Sequence, residues 1–251
     1  MRILVLIPAR YASTRFPGKP LAMIKGKSMI QRVYEQSRKA YDDVCVATDD
    51  QRIYDKVKEF GGEVVMTSPD HQSGTDRCLE ALERYSAKTK ICYDAVINVQ
   101  GDEPYIKPEQ IRLAGELLEK DNADIATLVM RINSVAEYNN SNSPKVVIDK
   151  NGYALYFSRS SIPFLRGAEP TDEVLRNGNF YRHVGMYGYK SDILKEICAL
   201  PMSFLEKSEK LEQLRWIENG YRIKTAVTDS QTHAVDTPED LKYLNEIDLY
   251  L

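Results

Sequence analysis

In the first half of the chain, short apolar runs alternate with stretches of helical period, joined by short connections. Residues 3–7 read as a buried strand. Residues 28–40 place Ile30, Val33, Tyr34 and Ser37 on one helical face. Residues 43–47 read as a strand that runs into Thr48-Asp49-Asp50. Residues 51–60 read as a helix stopped by Gly61-Gly62, residues 63–66 as a strand and residues 75–85 as a helix. Residues 94–99 read as an apolar strand centred on Ala95, Val96 and Ile97, the pattern of a central position buried on both faces. Residues 108–120 form a helix with Pro108 at its start. This order predicts a Rossmann-like α/β fold, with a mostly parallel central sheet covered by helices on both faces. Ligands of such sheets sit beyond the carboxyl ends of the strands. The segments to watch are therefore 8–19, 48–50 and 100–104.

The second half changes character. Residues 139–144 are polar. Residues 145–158 alternate about Asn151-Gly152, a hairpin signal. Residues 166–179 read as a polar, mobile loop and residues 180–189 as an aromatic-rich strand. Residues 202–216 have helical period, residues 222–227 look like a last strand, and residues 237–249 a last helix with Pro238 in its first turn. With no repeat and no low-complexity linker, residues 1–251 are expected to form a single domain, with residues 125–190 as an inserted α+β region.

Composition narrows the function. At 251 residues and 43% hydrophobic content, the chain can bury a large core without staples. Its 34 basic and 37 acidic residues leave a net charge of -3. That balance speaks against disorder and against a nucleic-acid partner held in a basic field. Any bound anion must be held by a local cluster. Cys45, Cys78, Cys92 and Cys198 form no C-x-x-C pair and read as reduced thiols. The three histidines make no H-E-x-x-H pattern. The first apolar run stops at Pro8, too short for a secretory leader. No stretch approaches the roughly 18 apolar residues of a membrane span. The sequon at Asn139-Asn140-Ser141 then lacks a secretory context, and the expectation is a soluble cytoplasmic protein with no membrane partner.

Three segments carry chemistry. Residues 7–20 follow the first strand and gather Arg10, Arg15, Lys19, Ser13, Thr14 and a Pro17-Gly18 turn. Cations and free N–H groups converging on one point are what a triphosphate needs. There is no G-x-G-x-x-G. Gly26-Lys27-Ser28 imitates the end of a Walker A loop, but Leu21 stands where that loop needs its first glycine. In Asn98-Val99-Gln100-Gly101-Asp102-Glu103-Pro104, a carboxylate follows a strand and a sharp turn, a suitable place for Mg²⁺ beside phosphates. The alternative is that Asp102 and Glu103 are turn residues capping the next helix. In Val235-Asp236-Thr237-Pro238, Asp236 is either a helix cap or a second metal carboxylate. Residues 71–74 (His71, Gln72, Ser73 and Gly74) precede a helix and either cap it or read a base or phosphate.

The blocks IPARYASTRFPGKPL, ATDD, DHQSGTDR, NVQGDEP, GYALYFSRSSIP, HVGMYGY, LEQLR and VDTPEDL run almost end to end. In that order they resemble the 3-deoxy-manno-octulosonate cytidylyltransferase (CMP-Kdo synthetase) family. The resemblance implies a nucleotidyltransferase fold and an enzyme that converts CTP and Kdo to CMP-Kdo and pyrophosphate with Mg²⁺, feeding lipopolysaccharide assembly. It also implies a homodimer whose inserted region supplies subunit contact and part of the sugar site. By the same resemblance, Arg10, Arg15 and Lys19 neutralise the triphosphate, in a loop that includes Ser13. Asp102 and Asp236 hold the metal. Gln100, Arg159, His183, Tyr187, Glu212 and Gln213 contact the sugar, with Arg159 suited to its carboxylate. Ala9 and residues 71–74 lie at the cytosine edge. Ser68-Pro69 and Trp216 depart from the family pattern. A neighbouring reading is a cytidylyltransferase for another acid sugar, 8-amino-Kdo or a sialic acid. A non-catalytic sugar-nucleotide sensor would have lost a metal carboxylate or Lys19, and all three are present.

Overall fold

Leu4, Val5, Leu6 and Ile7 are fully enclosed, although successive side chains of a strand point to opposite faces. This first strand, β1 (Ile3–Ala9), therefore has cover on both sides. The computed structural model describes residues 1–12, 16–230, 234–235 and 237–246. Ser13, Arg15 and Asp236 lie outside the described residues. The chain divides into two compact units, Met1–Gly115 with Ser230–Leu251, and Glu116–Asp229.

In the first unit, β1 is followed by a small antiparallel hairpin of β2 (Met23–Ile24) and β3 (Lys27–Ser28). Then come α1 (Met29–Arg38), β4 (Val44–Thr48), α2 (Gln51–Glu59), β5 (Val64–Met66), α3 (Gly74–Thr89) and β6 (Ala95–Asn98). The strands lie parallel in the order β6-β1-β4-β5. The expected helical face of α1 is the buried one: Ile30, Val33 and Ser37 are enclosed, with Tyr34 beside them. Asp50 caps α2 by accepting the Arg52 N–H, and Gly61 adopts a positive φ just past its end. The helix α4 (Pro108–Glu119) follows β6.

The second unit is built on β7 (Ile125–Arg131), α5 (Val135–Asn139), β8 (Lys145–Ile148), β9 (Ala154–Ser158), α6 (Asp172–Asn177), β10 (Tyr181–Lys190), α7 (Ser191–Cys198), α8 (Phe204–Glu209), α9 (Gln213–Glu218) and β11 (Ile223–Val227). β11 runs parallel to β7, and β10 is antiparallel to both β7 and β8. The β8–β9 hairpin closes through a turn in which Gly152 takes a positive φ and its N–H reaches the Asp149 carbonyl. The last helix, α10 (Pro238–Glu246), belongs to the first unit.

Two expectations are corrected. Residues 166–179 are not all loop. Thr171 caps α6 with its side chain, and buried Leu175 anchors that helix against Ile132, Tyr138 and Phe180. A single apolar anchor leaves too little period to be read from sequence. Residues 202–216 are two helices, not one. Ser203 and Glu206 form a capping box that starts α8, and Lys210 in the left-handed region ends it. Among the described residues, no helix is long and apolar enough to cross a membrane.

Candidate active site

The register of the parallel strands sets the first part of the site. Ala9 is paired with Thr48, and Leu6 with Asn98, so the segments after β1, β4 and β6 leave the sheet at one edge. Ala9 is buried at the end of β1 and Arg10 is exposed just beyond it. Gly18, with φ 73°, receives the chain back: its N–H donates to the Tyr11 carbonyl, and it opens the short helical turn Lys19–Leu21. That turn delivers Lys19, whose Nζ lies 2.6 Å from Asp102 Oδ2. Asp102 follows β6 after Gln100 and Gly101. A Cβ on Gly101 would lie 2.8 Å from the Pro8 carbonyl oxygen, so only glycine lets this turn pass so close to β1. The C-terminal return reaches the same place, since the Val235 N–H donates to the Asp102 carbonyl at 2.9 Å. Val235 is itself fully buried with Ile24, Met29, Tyr105 and Leu244. Three segments distant in sequence thus meet around Asp102. Asp236 is the residue after Val235, and its own placement lies outside the described residues.

Supporting contacts that the sequence did not reveal hold this edge. Arg77 is fully buried, and its guanidinium binds Asp49 Oδ2 at 2.6 Å and Thr67 Oγ1 at 2.5 Å. Arg52 grips Asp50 with two hydrogen bonds of 2.9 and 2.6 Å, and its guanidinium carbon lies 3.3 Å from the Tyr11 ring centre. Asp50 is held below the ordinary carboxylate range, chiefly by the Arg52 side chain. The Tyr11 ring in turn lies against Gly18. Asn98, at the end of β6, buries an Oδ1 with no hydrogen-bond partner among the described residues.

The segment before α3 is more self-contained. Ser73 caps that helix by accepting the Asp76 N–H, and its hydroxyl donates to Asp76 Oδ2. His71 Nε2 meets Glu80 Oε2 at 2.5 Å, and Gln72 donates to the Asp70 carbonyl. Gly74 opens the helix close to Pro8 and Asn98. The capping alternative is therefore realised at Ser73.

Of the residues matched to sugar contacts, Gln100 lies in the first unit, and Arg159, His183, Tyr187, Glu212 and Gln213 lie in the second. Arg159 directs its guanidinium at the main-chain carbonyls of Glu209, Ser141 and Lys210, at 2.7, 3.0 and 3.3 Å. Its neighbour Lys145 is wholly buried, and Nζ donates to the carbonyls of Asn140, Ser143 and Arg159. Burial, and then the charge of Arg159, pushes the Lys145 ammonium down from its ordinary value. On β10, His183 is half-buried. Its ring meets Phe157 edge-on at 5.2 Å and Tyr187 at 5.1 Å, and Tyr187 meets Trp216 edge-on at 5.0 Å. Burial, helped by the charge of Arg182, pushes the His183 imidazole down to about 3. Burial, and then the charge of Glu212, pushes the Tyr187 phenol well up, so it stays protonated. Tyr187 Oη and Gln213 Nε2 are buried with no hydrogen-bond partner among the described residues. Orphaned polar atoms at a buried site call for a polar ligand or water. Glu212 stands at the start of α9, next to Gln213.

The comparisons agree with one another. The Cytidylyltransferase family model matches residues 4–224. A 3-deoxy-manno-octulosonate cytidylyltransferase of Parabacteroides distasonis is 54% identical over 246 residues, covering 96% of each chain. One of Bacteroides thetaiotaomicron is 54% identical over 249 residues, covering 98% of each. Among solved structures, a CMP:2-keto-3-deoxy-manno-octonic acid synthetase complexed with CTP superimposes with a TM-score of 0.88 at 40% identity, covering 98% of this chain and 97% of its own. A cytidylyltransferase from Leptospira borgpetersenii, 15% identical, covers 98% of this chain and 85% of its own; its TM-score of 0.63 shows the fold alone.

Proposed function

Because this chain belongs to the cytidylyltransferase family, we propose that it transfers CMP from CTP to the anomeric 2-hydroxyl of Kdo and releases pyrophosphate. The observation that carries the reading is the meeting of Lys19, Asp102 and the chain at Val235 at the carboxyl edge of the first unit's parallel sheet. In the reaction the sugar hydroxyl gives up its proton and forms a bond to the α-phosphorus. The bond from that phosphorus to the bridging oxygen breaks, and pyrophosphate leaves with the electron pair. Such a transfer needs positioning and charge neutralisation more than covalent help from the protein.

The first unit supplies the charge. Arg10, Arg15 and Lys19 neutralise the triphosphate and the departing pyrophosphate, and Ser13 adds a hydroxyl to the same loop. Lys19 reaches there because Gly18 turns the chain under Tyr11. Ala9, His71, Gln72, Ser73 and Gly74 border the cytosine. In the second unit, Arg159 answers the sugar carboxylate, while His183, Tyr187, Glu212 and Gln213 take the sugar hydroxyls. The unpartnered Tyr187 Oη and Gln213 Nε2 support that role.

The residues present also fit Mg²⁺. Asp102 is a half-buried carboxylate in a cluster of otherwise cationic purpose, and Mg²⁺ asks for only one or two carboxylates, completing its shell with substrate oxygens and water. Among the described residues no three His, Cys, Asp or Glu side chains gather into a cage. Asp102 and Asp236 would hold the ion. When bound, it would supply Lewis-acid polarisation of phosphoryl oxygens and a lower pKa for the attacking hydroxyl.

The protein is read as a homodimer joined through the second unit, which exposes large apolar side chains at Leu155, Phe164, Met202 and Phe204. Work on a nucleoside triphosphate suits a cytoplasmic enzyme. Pyrophosphate release with CTP, Mg²⁺ and each of Kdo, 8-amino-Kdo and N-acetylneuraminate tests the proposal. Turnover with Kdo is expected, and negligible turnover of Kdo beside rapid use of another sugar would transfer the assignment to that sugar.

A further inference from the structure

A hydroxyl sits in the middle of a strand that is otherwise apolar and buried as far as its last residue, Arg131. Thr127 on β7 is fully enclosed between Ala126 and Leu128. Opposite it, the pairing of β10 with β7 shifts between Val184 and Tyr187, so two extra residues bulge out of the ladder. Thr127 Oγ1 fills this irregularity. It lies 2.7 Å from the Met186 carbonyl, 3.3 Å from the Val184 carbonyl and 3.0 Å from His183 Nε2.

The proton count decides who donates. A threonine hydroxyl has one hydrogen and can accept through its lone pairs. A carbonyl cannot donate, and two oxygens 2.7 Å apart need a hydrogen between them. Thr127 therefore gives its proton to Met186, and His183 must donate Nε2–H to Thr127. In a neutral imidazole the other nitrogen is then a bare acceptor. His183 Nδ1 makes no hydrogen bond among the described residues.

We propose that Thr127 is a positioning residue that locks His183 in its neutral Nε2–H tautomer and so presents Nδ1 as an acceptor to a hydroxyl of the acid sugar. The second half of this statement rests on the reading of the chain as an acid-sugar cytidylyltransferase, while the first does not. The groups around the ring agree with a neutral imidazole. The charge of Arg182 disfavours a second positive charge there, and Phe157 and Tyr187 close on the ring. With Tyr187 Oη and Gln213 Nε2 as unpartnered donors, an acceptor completes a set suited to a polyhydroxylated ligand.

Nitrogen-15 NMR of the histidine rings tests this directly, since the chain has only three histidines and His183→Gln removes the signal in question. At pH 7 the wild-type ring is expected to show a protonated Nε2 and an unprotonated Nδ1. Thr127→Ser should keep that pattern. Thr127→Val should mix the tautomers and raise the KM for Kdo about tenfold, with the KM for CTP within about twofold. A wild-type Nδ1–H tautomer, or a doubly protonated ring at pH 7, overturns the proposal. A Thr127→Val variant with unaltered ring signals does so too. If that variant does not fold, the wild-type and Thr127→Ser spectra still decide. If Kdo is not turned over while the tautomer is as stated, the functional reading fails and the positioning role stands.

Discussion

Single residues carry the sharpest consequences. The Asp102 carboxylate is paired with Lys19, and its main-chain carbonyl accepts from the Val235 N–H. On the proposed reading that Asp102 and Asp236 hold Mg²⁺, Asp102→Asn and Asp236→Asn are each expected to lower turnover by roughly 10² or more, because the ion would organise both reactants. Steady-state rates over a Mg²⁺ series check this, and near-normal turnover in either variant removes that residue from the metal site. His183 makes a prediction about acid. Its folded value of about 3 lies below the value near 6.5 of an unfolded histidine. Above pH 6.5 the ring is neutral in both states and adds no pH dependence. Between about 6.5 and 3 the unfolded chain binds a proton that the folded protein refuses, so stability falls as the pH falls. Melting temperatures from pH 7 to pH 4 should therefore drop less for His183→Gln than for wild type.

At the scale of elements, the break between α8 and α9 is what the second unit depends on. A continuous helix over 202–216 would keep the Glu209 and Lys210 carbonyls in its own ladder. The left-handed turn at Lys210 frees them to accept from Arg159. Across the break, Arg215 holds Glu206 with two hydrogen bonds of 2.8 and 2.6 Å, both side chains being largely buried. Removing one partner strands a buried charge, so Arg215→Ala should destabilise the protein by about 3 kcal/mol. Urea unfolding measures that loss, and a change under about 1 kcal/mol would mean the pair is solvent-screened. The β10 bulge shows the same dependence on local irregularity. It lets Thr127 reach Val184, Met186 and His183 at once, which a regular ladder would not.

For the molecule as a whole, the nucleotide is a stability reporter. A ligand that binds only the folded state stabilises it by about 2.7 kcal/mol at a hundred times its Kd. CTP with Mg²⁺ is expected to raise the melting temperature of the wild type, CTP with a chelator to raise it much less, and Asp102→Asn to lose the metal-dependent part. Equal shifts with and without the metal would remove the ion from nucleotide binding. The compact units take in Glu116–Asp229 as one body, in which β7 pairs with β11 on one side and with β10 on the other. The same body holds every second-unit residue matched to a sugar contact, from Arg159 to Gln213.

The sequence determined the strand–helix alternation, the parallel sheet of the first unit, the hairpin at Gly152 and the segments that carry charge. Periodicity, glycine and proline act over a few residues, and a linear reading sees them. Through the match to a family pattern it also assigned Lys19 to the triphosphate and Asp102 to the metal, while their direct pairing came only with the fold. Only the tertiary structure decided what distant residues do to one another: the Arg77–Asp49 pair, the Arg52–Tyr11–Gly18 stack, the buried Lys145 and the proton held by Thr127. Thr127 lies amid apolar neighbours and Arg77 in a helix opening, and neither has a local pattern that names its partner. Hydrogen bonds form where folding brings donor and acceptor within 3 Å or so, and that distance is set by the fold rather than by spacing along the chain.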